Sequence, residues 1–329
     1  MPRRLRPVLT SAGCCLLTLA AAQVALADPN KITIGVLEEV PGVYLNEPSH
    51  YAVRAVFQQT EQGWQTLPNF CDAEACLTAI TSSYPKRLEW TISYQGRALG
   101  TLWARTPANF AFYAHIGQQD VEDPARVPTL GPPSVDYSGY QETPLRRPLL
   151  ATAGATRLGP ARTDWRARTP ASADLPRVWP MFRHLAPLID GCRLDAKGEY
   201  IPSKGRPPHR DEIELASSWV NNNGDAILRA RVRPAILANC EMPDHPSEYW
   251  FFKDAKGSLR PLPGQGSDTS TEKAEIDSRA RLVMPLDFVD LQGDGQDAVL
   301  FLLSGEDAGG YALYFDNFRK VERFTWLYH

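Results

Sequence analysis

From Leu286 to Gly305 the chain reads Leu-Asp-Phe-Val-Asp-Leu-Gln-Gly-Asp-Gly-Gln-Asp-Ala-Val-Leu-Phe-Leu-Leu-Ser-Gly. An acidic, glycine-rich turn is set between two apolar runs. Asp290, Gln292 and Asp294 take the first, third and fifth positions of this turn, a spacing at which side chains in a tight loop converge on one point. Gly293 and Gly295 let the backbone curl there without a Cβ penalty. Calcium takes about six to eight oxygens, and loops of the form Asp-x-Asp-x-Asp-Gly supply them. The expected ligands are the side chains of Asp290, Gln292 and Asp294 and the backbone carbonyl of Gln296, with Asp297 one residue further on.

The loop is not an EF-hand. Counted from Asp290, the position where that motif needs a bidentate glutamate is Phe301. Ala298 to Leu303 is a short apolar run of the kind a buried strand shows, not an amphipathic helix. Strand, acidic Gly-Asp-Gly turn and strand together resemble the calcium loop of FG-GAP and VCBS repeats, found in integrin-α-like propellers and in many secreted bacterial proteins. The resemblance is carried by Asp290, Asp294 and the two glycines and covers one repeat's length near the C-terminus. It implies a calcium-binding hairpin. Gln292 stands where the family has Asp or Asn, Ala298 where it has an acid, and Asp297 comes one residue early. A loop one carboxylate short implies weak binding, since affinity follows ligand charge. A glycine-rich turn with solvated acids is the other reading of the same residues.

Other chemistry is sparse. No Gly-x-Ser-x-Gly elbow, His-Glu-x-x-His pair or glycine-rich phosphate loop is present in the sequence. His209-Arg210-Asp211 mimics a kinase triplet without the rest of a kinase; His209 with Asp211 or Glu212 could act as an acid/base pair, or be a solvated loop beside Pro207-Pro208. Glu38 and Glu39 are neighbours on an expected strand, so they face opposite ways and cannot flank one glycosidic bond. Trp64, Trp90, Trp103, Trp219, Trp250 and Trp326 lie on or beside expected strands, as core residues or as a sugar-stacking face.

These residues sit in a chain that reads as exported. Arg3, Arg4 and Arg6, an uncharged apolar stretch and Ala25-Leu26-Ala27 before Asp28 form a secretory signal over residues 1–27. Two alternatives stay open: the span Pro7 to Ala27 is long enough to cross a membrane uncut, and Cys14 follows Ser-Ala-Gly as a lipidated cysteine would. Losing three arginines takes the formal charge from −3 to a more negative value, which offers no basic field for nucleic acid. No later stretch is apolar enough to span a bilayer. Cys71, Cys76, Cys192 and Cys240 remain, an even set that suggests two disulfides in an oxidising compartment. Proximity favours Cys71–Cys76 with Cys192–Cys240.

The scaffold is expected to be all-β with a few short helices, as propeller-like or sandwich hairpins. Strands are predicted over 31–38, 53–57, 64–67, 88–94, 98–104 and 110–116, with a helix at 73–81. Residues 28–130 then form an N-terminal β domain. Between Gly131 and Arg183 proline and arginine recur, so 131–190 reads as an irregular segment or linker with one helix at 179–189. Its arginines either meet an anionic lipid or polysaccharide or solvate a loop. Residues 191–329 form a C-terminal β domain, with strands at 213–220 and 226–232 around Asn223-Gly224, then 249–252, 258–262, 281–289, 298–303, 311–315 and 321–328, and a turn at Gly309-Gly310. A faint repeat is visible: Asp195-Ala-Lys-Gly198 recurs at Asp254, and Phe252-Lys-Asp-Ala255 is echoed by Tyr314-Phe-Asp-Asn317, at a period near one four-stranded unit.

The expected function is that of an exported, non-catalytic binding or structural protein of the periplasm or cell envelope, with a protein or glycan ligand and calcium as its cofactor. An exported hydrolase of envelope polymers and a membrane-tethered assembly factor are the rivals. The signal reading makes the first prediction: the intact mass of protein recovered from cells corresponds to a chain beginning at Asp28, whereas a mass including residues 1–27 contradicts cleavage.

Overall fold

The structure, a computed structural model, describes residues 32–40, 48–69, 74–106, 115–128, 147–154, 159–160, 164–185, 192–194, 197, 200–202, 206–233, 248–265, 279–291, 293–305 and 307–327. The chain is mostly β, with two α-helices among the described residues.

The first part forms β1 (Thr33–Val40), β2 (His50–Thr60), β3 (Gly63–Thr66), α1 (Glu74–Ser83), β4 (Arg87–Tyr94), β5 (Arg97–Arg105), β6 (Gln118–Val121) and β7 (Leu149–Ala153). The strand order is β1-β7-β4-β5-β6-β2, and β1 also pairs with β2, so six antiparallel strands close into a barrel with β3 appended. A barrel removes the open edges that a flat sheet of these strands would present. Trp90 of β4 is fully buried in its core, and its indole Nε1 donates to Gln119 of β6 at 2.9 Å. Gly35 of β1 makes room for it: a Cβ there would lie 2.8 Å from the Trp90 ring and from Val53. The strand pattern around Gly35 is otherwise apolar, and a glycine inside such a strand marks close approach.

Next come β8 (Gly159–Pro160), β9 (Arg166–Arg168), α2 (Leu175–Leu185), β10 (Cys192–Leu194) and β11 (Tyr200–Pro202), the last two pairing with each other. Two meanders complete the chain: β12 (Ile213–Val220), β13 (Ala226–Val232), β14 (Glu248–Lys253) and β15 (Leu259–Pro261), then β16 (Arg281–Asp290), β17 (Ala298–Gly305), β18 (Ala308–Phe315) and β19 (Lys320–Leu327). Each meander gains one short strand beside its first: β9 beside β12, β8 beside β16. The two sheets therefore share one strand order, and the echoed segments Phe252–Ala255 and Tyr314–Asn317 fall at their equivalent last turns. Of Asp195–Gly198, only Lys197 is described.

The layers follow from alternation. Along β17, Ala298, Leu300 and Leu302 join the core shared with the barrel, while Val299, Phe301 and Leu303 join a second core with Trp250 and Ile227 of the neighbouring sheet. A strand covered on both faces reads as a continuous apolar run, which is why Ala298 to Leu303 shows no period. The β12–β15 sheet repeats the device: Ile227 and Trp250 face the β16–β19 sheet, whereas Leu228, Ala230, Tyr249 and Phe251 pack with Val178 and Phe182 of α2. Barrel, β16–β19 sheet, β12–β15 sheet and α2 are thus stacked in that order. Trp64, Trp90, Trp250 and Trp326 are buried, Trp103 and Trp219 partly so.

Two expectations change and a third falls mostly outside the described residues. Residues 131–190 are more than a linker, because they supply β7 to the barrel, β8 and β9 to the two meanders, and α2 as a cover. Leu-Leu-Ala-Thr-Ala of β7 is a buried strand hidden between Pro148 and Gly154. The strand foreseen at 110–116 lies mostly outside the described residues; Gln118–Val121, where no strand was expected, joins the barrel. Gly309-Gly310 lies within β18, paired with Trp326 and Thr325 of β19, rather than at a turn; glycine is needed there because a Cβ on Gly310 would come 2.5 Å from the Phe324 carbonyl oxygen. Gly35→Ala should lower stability in urea by about 1–3 kcal/mol, because the added methyl has no room beside Trp90; an unchanged midpoint would mean that the ring moves aside freely.

Candidate functional site

The acidic turn joins β16 to β17. Asp290, the last residue of β16, is buried, and its carboxylate closes the loop on itself: Oδ1 accepts the Gly293 N–H at 2.8 Å and Oδ2 the Gly295 N–H at 2.9 Å. Both glycines have left-handed backbone, with φ of 69° and 80°. Asp294 Oδ1 accepts the Gln296 N–H at 2.8 Å. Asp297 Oδ2 accepts from the Trp165 indole at 2.8 Å, and that indole stacks on Phe288 at 4.6 Å between centroids. Gln292 lies outside the described residues. Among the described residues no three His, Cys, Asp or Glu side chains group as metal ligands would. Asp290 and Asp294 act in the fold as acceptors for the turn's own N–H groups, and Asp297 as the acceptor for Trp165.

The first turn of the other meander is built the same way. Asn221 is buried; its Oδ1 accepts the N–H groups of Asn223 and Asp225 at 3.0 and 2.9 Å, and Asp225 Oδ1 accepts the Ala255 N–H at 2.7 Å. An Asx side chain satisfying backbone donors in place of a ladder is a turn device in its own right.

Cys76, in the first turn of α1, is disulfide-bonded. Cys71 and Cys240 lie outside the described residues, and Cys192 is described by its backbone alone. Glu212 does not suit an acid/base role: Arg206 holds it in a bidentate pair, it also accepts the His209 N–H at 2.7 Å, and together these pull its carboxyl down to about 2.

Glu38 and Glu39 part company as alternation requires. Glu39 accepts from Ser49 at 2.8 Å near the surface. Glu38 is buried on the outer wall of the barrel, and both of its oxygens are in use. Oε1 accepts from Arg54 Nε at 2.8 Å and Tyr311 Oη at 2.7 Å; Oε2 accepts from Arg54 Nη2 at 3.0 Å and Gln118 Nε2 at 3.2 Å. Arg54 directs Nη1 to the Ile116 carbonyl at 2.6 Å and lies over the Trp326 ring at 3.9 Å. Three barrel strands are thereby tied to β18 and β19. The sequence signal was Arg54 inside Tyr-Ala-Val-Arg-Ala-Val-Phe, a charge in an apolar strand.

Asp287 gives the same kind of signal in Met-Pro-Leu-Asp-Phe-Val and was also missed. It sits at the second of two irregularities in β16 and is 3% exposed. Its Oδ1 accepts the Phe288 N–H at 2.8 Å, and Oδ2 has no hydrogen-bond partner among the described residues. Burial pushes its carboxyl up to about 6.

No family model matches this chain, and neither the curated proteins nor the solved structures contain a match to it.

Glu38→Ala strands Arg54 as an uncompensated buried charge and should cost about 3–5 kcal/mol in chemical denaturation. Glu38→Leu combined with Arg54→Met should cost less than that single change, since no lone charge remains; a loss under about 1 kcal/mol for Glu38→Ala would contradict the role given to the pair.

Proposed function

We propose that this chain is an exported, non-catalytic binding or structural protein of the periplasm or cell envelope, with residues 290–297 as a weak calcium loop and a protein or glycan as its ligand. The observation that carries this reading is how the carboxylates are used. Asp290, Glu38 and Glu212, three of the acids the sequence offered for chemistry, are each held by backbone or guanidinium donors within the fold. A general base needs an accessible acceptor within reach of a substrate proton. A cation at the acidic turn would complete oxygens already gathered there: each carboxylate oxygen has a second lone pair beyond the one its N–H donor takes. The Cys71–Cys76 and Cys192–Cys240 pairing belongs to the same proposal, as does the signal at residues 1–27.

Calorimetry on the mature protein should show calcium binding with a dissociation constant of about 0.1–1 mM, as in weak extracellular modules. Asp294→Asn, which leaves the Asp290 closure intact, should weaken it by about tenfold or more. Absence of heat at saturating millimolar calcium ends the metal reading. Incubation with isolated envelope polysaccharide should release no soluble fragments; release that Asp294→Asn abolishes would replace this proposal with the hydrolase.

A further inference from the structure

We propose that the face of β12–β14 turned toward the β16–β19 sheet carries, where the two sheets part, a binding site for a neutral oligosaccharide. The site rests on the non-catalytic binding function proposed above and commits its ligand to a glycan.

Register and alternation put three rows of side chains on that face. Across β12, β13 and β14 they are Glu214–Arg231–Glu248, Ser217–Arg229–Trp250 and Trp219–Ile227–Phe252. Ala216 is left out of the register, so Glu214 and Ser217, three residues apart, point the same way. The third row and Trp250 of the second pack in the core shared with the β16–β19 sheet. Trp250 closes that contact: its indole Nε1 donates to the Leu282 carbonyl at 3.2 Å, and its ring meets Phe301 edge-on at 4.9 Å. Beyond it the side chains are partly open, 24% for Arg229, 17% for Glu248, 37% for Arg231 and 30% for Glu214. The sheets therefore touch at one end of this face and leave the other to solvent.

The charges on the open part cancel. Arg229 holds Glu248 and Arg231 holds Glu214, two guanidinium groups against two carboxylates. Hydrogen-bonding capacity is nevertheless left over. Among the described residues Arg231 donates through Nε alone, to Glu214 Oε1 at 2.7 Å, and Arg229 through Nε and Nη2, both to Glu248 Oε2. Glu214 Oε2, the Arg231 amino groups and Glu248 Oε1 then stand in one row as acceptor, donor and acceptor. The Ser217 hydroxyl, in the next row, is buried with no partner among the described residues. A hydroxyl both donates and accepts, so adjacent sugar hydroxyls can give to a carboxylate and take from a guanidinium at once. Peptides are held by a sheet edge or by apolar pockets, whereas this is a polar face within a sheet.

Trp219 supplies the apolar side. It is partly exposed, its ring lies 5.5 Å from that of Trp250, and its neighbour on β9 is Ala167, too small to cover an indole. Such a ring offers an apolar body to the C–H groups of a sugar. About 13 Å of strand separates the Trp219 row from the Glu214 row, so the site spans more than one sugar unit.

Calorimetry with maltohexaose and cellohexaose, neutral chains whose rings carry adjacent free hydroxyls, and with the anionic hexagalacturonate tests this. At least one neutral chain should bind saturably and more tightly than hexagalacturonate. Arg231→Ala, Glu248→Gln and Trp219→Ala should each weaken that binding by about tenfold or more. Glu89→Gln, at an exposed position of the barrel, should leave it unchanged. Failure of both neutral chains to bind overturns the proposal, as does preference for hexagalacturonate or affinity that all three variants retain. Retained affinity would still leave a glycan ligand bound elsewhere, whereas cleavage of the hexasaccharide would remove the non-catalytic function itself. Should the variants not fold, the amide resonances of the unaltered protein decide. Those of residues 214–219, 229–231 and 248–250 should shift when the neutral hexasaccharide is added, and shifts confined to other strands overturn the proposal.

Discussion

The structure depends on a sheet with no free face. Strands β16–β19 bury one set of alternate side chains against the barrel and the other against β12–β15. Phe301 and Leu300, adjacent in sequence, serve two different cores. Burying a large apolar side chain contributes about 1.5–3 kcal/mol, so a strand that does this at successive residues gathers stabilisation twice as densely as a one-faced strand. It also fixes register, because a slip by one residue would exchange the two sets and match neither neighbour.

The polar residues follow from that arrangement. A sheet enclosed on both faces still has edges, and its backbone groups there need partners. At the β19 edge, Asn69 donates to the Thr325 carbonyl at 2.9 Å. At the β16 edge, β8 pairs with two residues and Arg147 serves the carbonyls of Pro285 and Leu286. Side chains do the work of a missing strand in the next sheet too: the Gln265 amide accepts the Trp250 N–H at 2.6 Å and donates to its carbonyl at 2.7 Å. The seam with the barrel carries two buried carboxylates of opposite character. Glu38 is saturated by Arg54, Tyr311 and Gln118, whereas Asp287 has one oxygen unmet among the described residues. The first ties the barrel to β18 and β19.

Much of this was legible along the chain where a local rule and the tertiary environment agree. The β12–β13 hairpin has the bounds its Asn-Gly turn and alternation imply, and Gln95-Gly96 turns where a glycine was needed. The cues failed where polar residues serve the interior. Gln118-Gln119-Asp120-Val121 does not look like a strand, yet Gln119 receives the Trp90 indole and Gln118 reaches Glu38. β7 was masked by the prolines around it, and barrel closure through β1–β2 pairing is a long-range property that no window of sequence contains. At the acidic turn the spacing correctly marked a tight loop. It did not reveal that Asp290 turns its oxygens to Gly293 and Gly295, because a cation ligand and an Asx cap use the same residue types.

A shared central sheet makes the layers one cooperative unit, and that is open to direct measurement by scanning calorimetry of the protein. Barrel and meanders should melt in a single endotherm whose van't Hoff and calorimetric enthalpies agree. Two resolved endotherms, one of them retained when the β16–β19 sheet is destabilised by Phe301→Ala, would show that the barrel stands without the sheet and would contradict the account.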